Sequence, residues 1–135
     1  MLKISGLNLP IIYNSNGYEN IETLKKLDGY IDVYLPDLKY YSNDLAKKYS
    51  KVDSYFEIAT TAIMEMYKQV GKVKLNEEGL IKKGVIIRHL VLPNHLQNSK
   101  HILKWIKENI PNDVYVSVMA QYFPTYKAMD DSYIN

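Results

Sequence analysis

The 135-residue chain contains no cysteine. Disulfides, thiol nucleophiles, Cys-ligated zinc and Cys-ligated iron–sulfur clusters are therefore excluded for this chain's own side chains. A strong excess of charge of one sign is also missing. Lys and Arg total 17 against 15 Asp and Glu, a net charge of +2, and the cations are scattered, so nothing points to nucleic acid or to a membrane surface. No apolar run reaches the roughly 20 residues that a bilayer-spanning helix needs. The opening "MLKISGLNLP" has no basic segment followed by an apolar core, so a signal peptide is not expected and a soluble cytoplasmic protein is. Walker, HExxH, GxSxG and dinucleotide glycine motifs are all absent. His89, His95 and His101 lack metal-ligand spacing. No metal ligand and no catalytic residue is assigned.

What is present is a globular composition, 47% hydrophobic and 24% charged, at a length that suits one domain. Tyrosine is abundant, 13 residues against two Phe. Tyrosine rings pack while their hydroxyls stay hydrated, and these are not grouped with basic residues into an RNA-stacking platform.

Pattern along the chain alternates between period 2 and period 3.6. "PIIY", Pro10–Tyr13, reads as a short strand ending in the turn Asn14-Ser15-Asn16-Gly17. A short helix capped near Asn20 carries Ile21, Leu24 and Leu27, with Gly29 just past its end. "YIDVYLPD" alternates as a strand. A second short helix opens at Ser42 or Asn43. Ser54 and Glu57 have capping-box spacing before the longest helix, Tyr55 to Val70, with Ala59, Ala62, Ile63, Met66 and Val70 inward. A hairpin turning at Asn76–Gly79 leads into the strand Val85–Val91. A helix capped at Asn98 or Ser99 presents Ile102, Leu103, Ile106 and Ile110, with Trp105 in the same stripe. "DVYVSVMAQY" is the last strand. Strands separated by helices predict βαβ units and a parallel sheet.

Ligands of parallel α/β folds bind beyond the carboxyl ends of the strands. Here those ends bear Asn14-Ser15-Asn16-Gly17, then Asp37 and Lys39, then Gln121 and Tyr122. Arg88 lies inside the strand "GVIIRHLVLPN". Alternation puts Ile86, Arg88 and Leu90 on one face and Val85, Ile87 and His89 on the other. A guanidinium there needs a partner. A ligand's carboxylate and a structural pair with Asp37 or Asp32 both satisfy that need, and polar strand ends are also what ordinary turns look like. His89 is expected to be packed and hydrogen-bonded.

Four blocks, "IIYNSNGY", "IDVYLPDLKY", "KKGVIIRHLVLPNHLQNSKHILKWI" and "DVYVSVMAQYFPTYK", together resemble the radical S-adenosylmethionine (SAM) enzymes. The group nearest in pattern is that of pyruvate formate-lyase activating enzymes and their uncharacterised relatives. The resemblance runs from Leu9 to Asn135, and "RHLVLPNHLQNS", near the family's R-x-x-V-x-P-G, is its most specific part. It implies an α/β fold: a partial TIM-like (β/α) barrel fragment, with a parallel sheet of about four strands and flanking helices. Residues 1–135 would form a single domain, the C-terminal portion of that barrel. In the family, a CxxxCxxC loop near the first strand holds a [4Fe–4S] cluster, and a GGEP motif after the second strand holds the methionyl amine. Neither motif is in this chain.

The resemblance places cofactor-binding positions residue by residue. Asn14 and Ser15 match an Asp-Thr pair near the methionyl carboxylate. Asp37 and Lys39 match a D-x-K beside the same cofactor. Arg88 matches an arginine reaching the cofactor from the next strand, and Gln121 and Tyr122 fall near an adenine contact. SAM and the [4Fe–4S] cluster belong to the intact enzyme, with no cofactor expected on this chain alone. The expected partners are the missing N-terminal half of the barrel, a second copy through an exposed strand edge, and a glycyl-radical protein as substrate of the intact enzyme. Two other expectations stand beside this: a self-sufficient module for a small anion or nucleotide, and a structural or interaction domain.

Overall fold

The computed structural model describes residues 9–120. The strands β1 (Ile12–Ser15), β2 (Val33–Pro36), β4 (Ile81–Val91) and β5 (Tyr115–Ala120) run parallel in the order β1-β2-β4-β5. The short β3 (Lys74–Leu75) pairs antiparallel with the start of β4. Helices α1 (Ile21–Lys26), α2 (Asn43–Ser50), α3 (Tyr55–Val70) and α4 (Leu96–Asn109) fill the connections. The parallel α/β architecture that the alternating pattern implies is therefore the fold.

Strand order decides where the core lies. Each parallel strand sits beside the preceding one, so every crossover steps the same way. Right-handed crossovers that all step one way lie on one face of the sheet. The core accordingly joins Leu24 of α1, Ala46 of α2, Ala59, Ile63 and Met66 of α3 and Ile102 of α4 to Tyr34, Val85 and Ile87 of the sheet. The opposite face has no helix against it among the described residues. In parallel register Ile12 and Asn14 lie beside Val33 and Leu35, and Arg88 and Leu90 beside Ser117 and Met119. These residues share the face that points away from the helices; Ile12 and Asn14 are exposed there, whereas Val33 is buried.

Several local signals act as their chemistry dictates. Asn20 Oδ1 accepts from the N–H groups of Glu22 and Thr23 at 2.8 and 3.2 Å, capping α1. Ser42 Oγ does the same for α2. Asn76 and Gly79, with φ +85° at the glycine, close the β3–β4 hairpin. Three expectations need correction. Ser54 and Glu57 form no capping box: Ser54 is left-handed at φ 53°, which aims its hydroxyl away. Asn43 takes that role from α2, accepting from Phe56 N–H and donating to Glu57. Asn98 and Ser99 do not cap α4, which begins at Leu96; they lie buried in its first turns. Leu103 points outward, 38% exposed. No helix among the described residues is long and apolar enough to cross a membrane.

Candidate functional site at the strand tips

Alternation continues past the end of β2. Tyr34, Leu38 and Tyr40 enter the core, while Asp37 and Lys39 turn to the uncovered face. Arg88 reaches the same place from β4, because Asp37 and Arg88 are paired across the two strands. Arg88 Nε donates to Asp37 Oδ1 at 2.8 Å, and Lys39 Nζ lies 3.9 Å from Asp37 Oδ2. Two cations share one carboxylate, so the cluster keeps a net positive charge. The side chains of Arg88, Asp37 and Lys39 are 30, 21 and 37% exposed, half-wet rather than sealed. With Leu90 and Met119 they line a cavity of about 300 Å³, at the lower end of ligand-pocket sizes. One wall is charged and the other is aliphatic and thioether.

The backbone bearing these side chains is tied down from three directions. Leu38 N–H donates to Arg88 O at 2.8 Å. The Tyr55 hydroxyl, from the start of α3, accepts from Lys39 N–H at 3.1 Å and points its proton at the carbonyls of Asn16 and Asp37. Burial pushes its pKa well above the usual tyrosine range, so it stays a neutral donor and acceptor. Asn98 of α4 donates to Lys39 O at 2.8 Å and accepts from Tyr41 N–H at 2.7 Å.

His89 follows Arg88 but faces the core. Its Nδ1 is 2.7 Å from Leu38 O and its Nε2 2.8 Å from Ser99 Oγ. A carbonyl only accepts, so Nδ1 holds the proton and Nε2 accepts from the serine. Burial lowers the His89 pKa, partly offset by the Leu38 bond, and the ring is neutral. Gly17, at φ +88°, presses its backbone on the Asp37 carbonyl, which a Cβ there would overlap.

The positions named from the sequence thus separate. Asp37, Lys39 and Arg88 converge. Asn14 lies on the same face, one strand further out and exposed. Ser15 points the other way and is buried; its hydroxyl donates to Glu19 at 2.8 Å and accepts from Gly17 N–H at 2.9 Å. That bonding commits it to the turn. Gln121 and Tyr122 lie outside the described residues. Sequence reading missed the Leu90 and Met119 wall, which strand register supplies, and the roles of Tyr55 and Asn98, for which spacing gives no signal. A larger hollow of about 490 Å³ between α2 and α4, lined by Tyr41, Leu45, His95 and His101 among others, holds no ionised pair.

Among the described residues no group of three or more His, Asp or Glu side chains converges to hold a metal. A [4Fe–4S] cluster, whose ligands are cysteine thiolates, does not fit the residues of this chain, which has none. The tips do fit one end of a zwitterionic nucleotide: Arg88 and Lys39 suit a carboxylate, and Asp37 suits hydroxyl or ammonium donors.

No family model and no solved structure matches the chain. It is 40% identical over 129 residues, 95% of its length, to an uncharacterised protein of Methanocaldococcus jannaschii. It spans 34% of that relative, about a third of the relative's length.

Proposed function

We propose that this chain is the C-terminal sector of a radical SAM barrel of the pyruvate formate-lyase activating type, and that its strand tips form part of a SAM site. The observation that supports this best is the gathering of Asp37, Lys39 and Arg88 at the carboxyl ends of adjacent parallel strands, on the face that no helix among the described residues covers. These are three of the seven positions at which the sequence blocks match the family's cofactor contacts; Asn14 lies one strand further out, Ser15 is committed to its turn, and Gln121 and Tyr122 lie outside the described residues. Sequential parallel strands with all helices on one side are what a sector of such a barrel requires. The relative is about three times as long as this chain, which leaves room for the rest of such a barrel.

In an intact enzyme of that type the cluster and cofactor would supply reductive cleavage and hydrogen abstraction, and no residue of this chain would hold the cluster. This chain's residues bind and orient: Arg88 and Lys39 hold an anionic group, and Asp37 keeps both cations aimed while accepting from a donor on the ligand. The chain by itself is inactive. Iron and sulfide reconstitution is expected to give no cluster absorbance in the visible range, and a stable cluster on this chain would overturn the reading. Calorimetric titration with SAM tests whether the strand tips keep part of the site without the other half of the barrel; any binding is expected to be weak and to be abolished by Arg88→Met.

The excess of one cation over the single Asp37 carboxylate also supports a second reading, a stand-alone site for a small anion. Binding of inorganic phosphate or a mononucleotide tighter than SAM would favour it. In both readings the β1 and β5 edges, unpaired among the described residues, and the open face serve for association. On the open face Tyr115 and Met119 are 48 and 44% exposed, and on the helix side of β5 Val118 is 50% exposed; unpaired edges of this kind invite strand addition. Sedimentation is expected to show dimers or larger species, and a clean monomer at high concentration would refute that.

A further inference from the structure

We propose that Tyr55, Asn98 and His89 are positioning residues that hold the segment Asp37–Tyr41 in an extended path, so that Asp37 and Lys39 stay aimed at Arg88. The inference rests on the strand tips being a ligand site. The problem these residues solve is local. Regular pairing of β2 with β4 is confined to Val33–Gly84 and Tyr34–Val85, and β2 ends at Pro36. Beyond Pro36 the sheet continues through Asp37 N–H to Ser15 O at 2.9 Å and Leu38 N–H to Arg88 O at 2.8 Å. Lys39 to Tyr41 lie past these bonds, where a chain with no further partners would wander.

Side chains replace the missing ladder. Lys39 N–H is received by Tyr55, Leu38 O by His89, and Lys39 O and Tyr41 N–H together by Asn98. Each of these side chains is buried and comes from a different element, α3, β4 and α4. Ser99, next to Asn98, fixes the His89 ring from behind at 2.8 Å. Four backbone groups over four residues are thereby held by three side chains that share no contact with the ligand space. Such a cradle orients charged groups without neutralising them, which is what a preorganised site needs.

Amide hydrogen exchange on the full chain tests this, with SAM as the binding probe. Tyr55→Phe removes only a hydroxyl, and it is expected to speed exchange at Lys39 by roughly tenfold, the loss of one hydrogen bond. Asn98→Ala is expected to do the same at Tyr41. Ile63 and Met66, in the middle of α3, serve as reference amides and are expected to be unchanged. Uniform acceleration across the reference amides, or no change at Lys39 and Tyr41, would overturn the cradle.

Where wild type binds SAM, Asn98→Ala is expected to weaken it several-fold, with no further loss in an Asp37→Ala, Lys39→Ala background. Unaltered affinity in Asn98→Ala would sink the positioning role. Where wild type does not bind SAM, the cofactor reading fails and the exchange pattern alone decides the cradle.

Discussion

The two faces of β4 differ in what they ask of a side chain. Val85, Ile87 and His89 are fully buried under the helices, whereas Ile86, Arg88 and Leu90 are only partly covered. On the helix side every polar group is tied inward, as the His89 bonds to Leu38 and Ser99 illustrate. Among the described residues no buried side-chain nitrogen or oxygen lacks a partner. On the open side, charges are collected and left half-hydrated. One strand therefore packs the core with its odd positions and, through Arg88, gathers half-hydrated charge with its even ones. The division follows from sequential strand order, which sends every crossover to one side.

The largest expected effect is on the covered face. Ile87→Ala opens a cavity beneath α3 and α4 and is expected to cost about 2–5 kcal/mol. Ile86→Ala, one residue back on the open face, is expected to cost less than half as much. Urea unfolding of the two variants measures the contrast, and equal losses would mean that the open face is packed as tightly as the covered one.

This division was legible in the sequence as far as period 2 reaches. Val85, Ile87 and His89 separate from Ile86, Arg88 and Leu90 by counting alone, and the α3 stripe of Ala59, Ala62, Ile63, Met66 and Val70 is buried as its spacing implies. Asp37 and Lys39 fall on the correct side for the same reason. The cradle was not legible, because Tyr55 and Asn98 act on backbone groups 16 and 57–59 residues away. No local rule couples such positions. Ser54 misled for a related reason: its spacing to Glu57 fits a capping box, but the chain enters α3 from a left-handed turn and Asn43 reaches in first.

An intermediate effect is expected from acid. His89 has a folded pKa below its unfolded value, with burial as the main cause. The unfolded chain then takes up a proton first. Stability from this group is full above the unfolded value of about 6.5 and is lost as pH falls through the folded pKa. A single group can tilt stability by at most about 1.4 kcal/mol per pH unit. Thermal unfolding between pH 7 and pH 5 is expected to show the decline. His89→Asn, which leaves His95 and His101 in place, is expected to flatten it, at a lower stability throughout. An unchanged slope in that variant would assign the acid sensitivity to other groups.

The smallest stability change is expected at the residue most prominent in the sequence. Arg88 and Asp37 are bonded at 2.8 Å, yet both stay in contact with solvent. Half-exposed pairs recover in attraction about what they lose in hydration and side-chain freedom, so their net value is about 0–1 kcal/mol. Methionine has a comparable stem, and Leu90 and Met119 already line the cavity. Asp37 keeps Lys39 at 3.9 Å. Arg88→Met is therefore expected to shift unfolding by no more than about 1 kcal/mol while abolishing SAM binding. A loss above about 3 kcal/mol, the range for a sealed pair deprived of one partner, would place Arg88 with the covered face as a structural residue and remove the main support for a ligand at the strand tips.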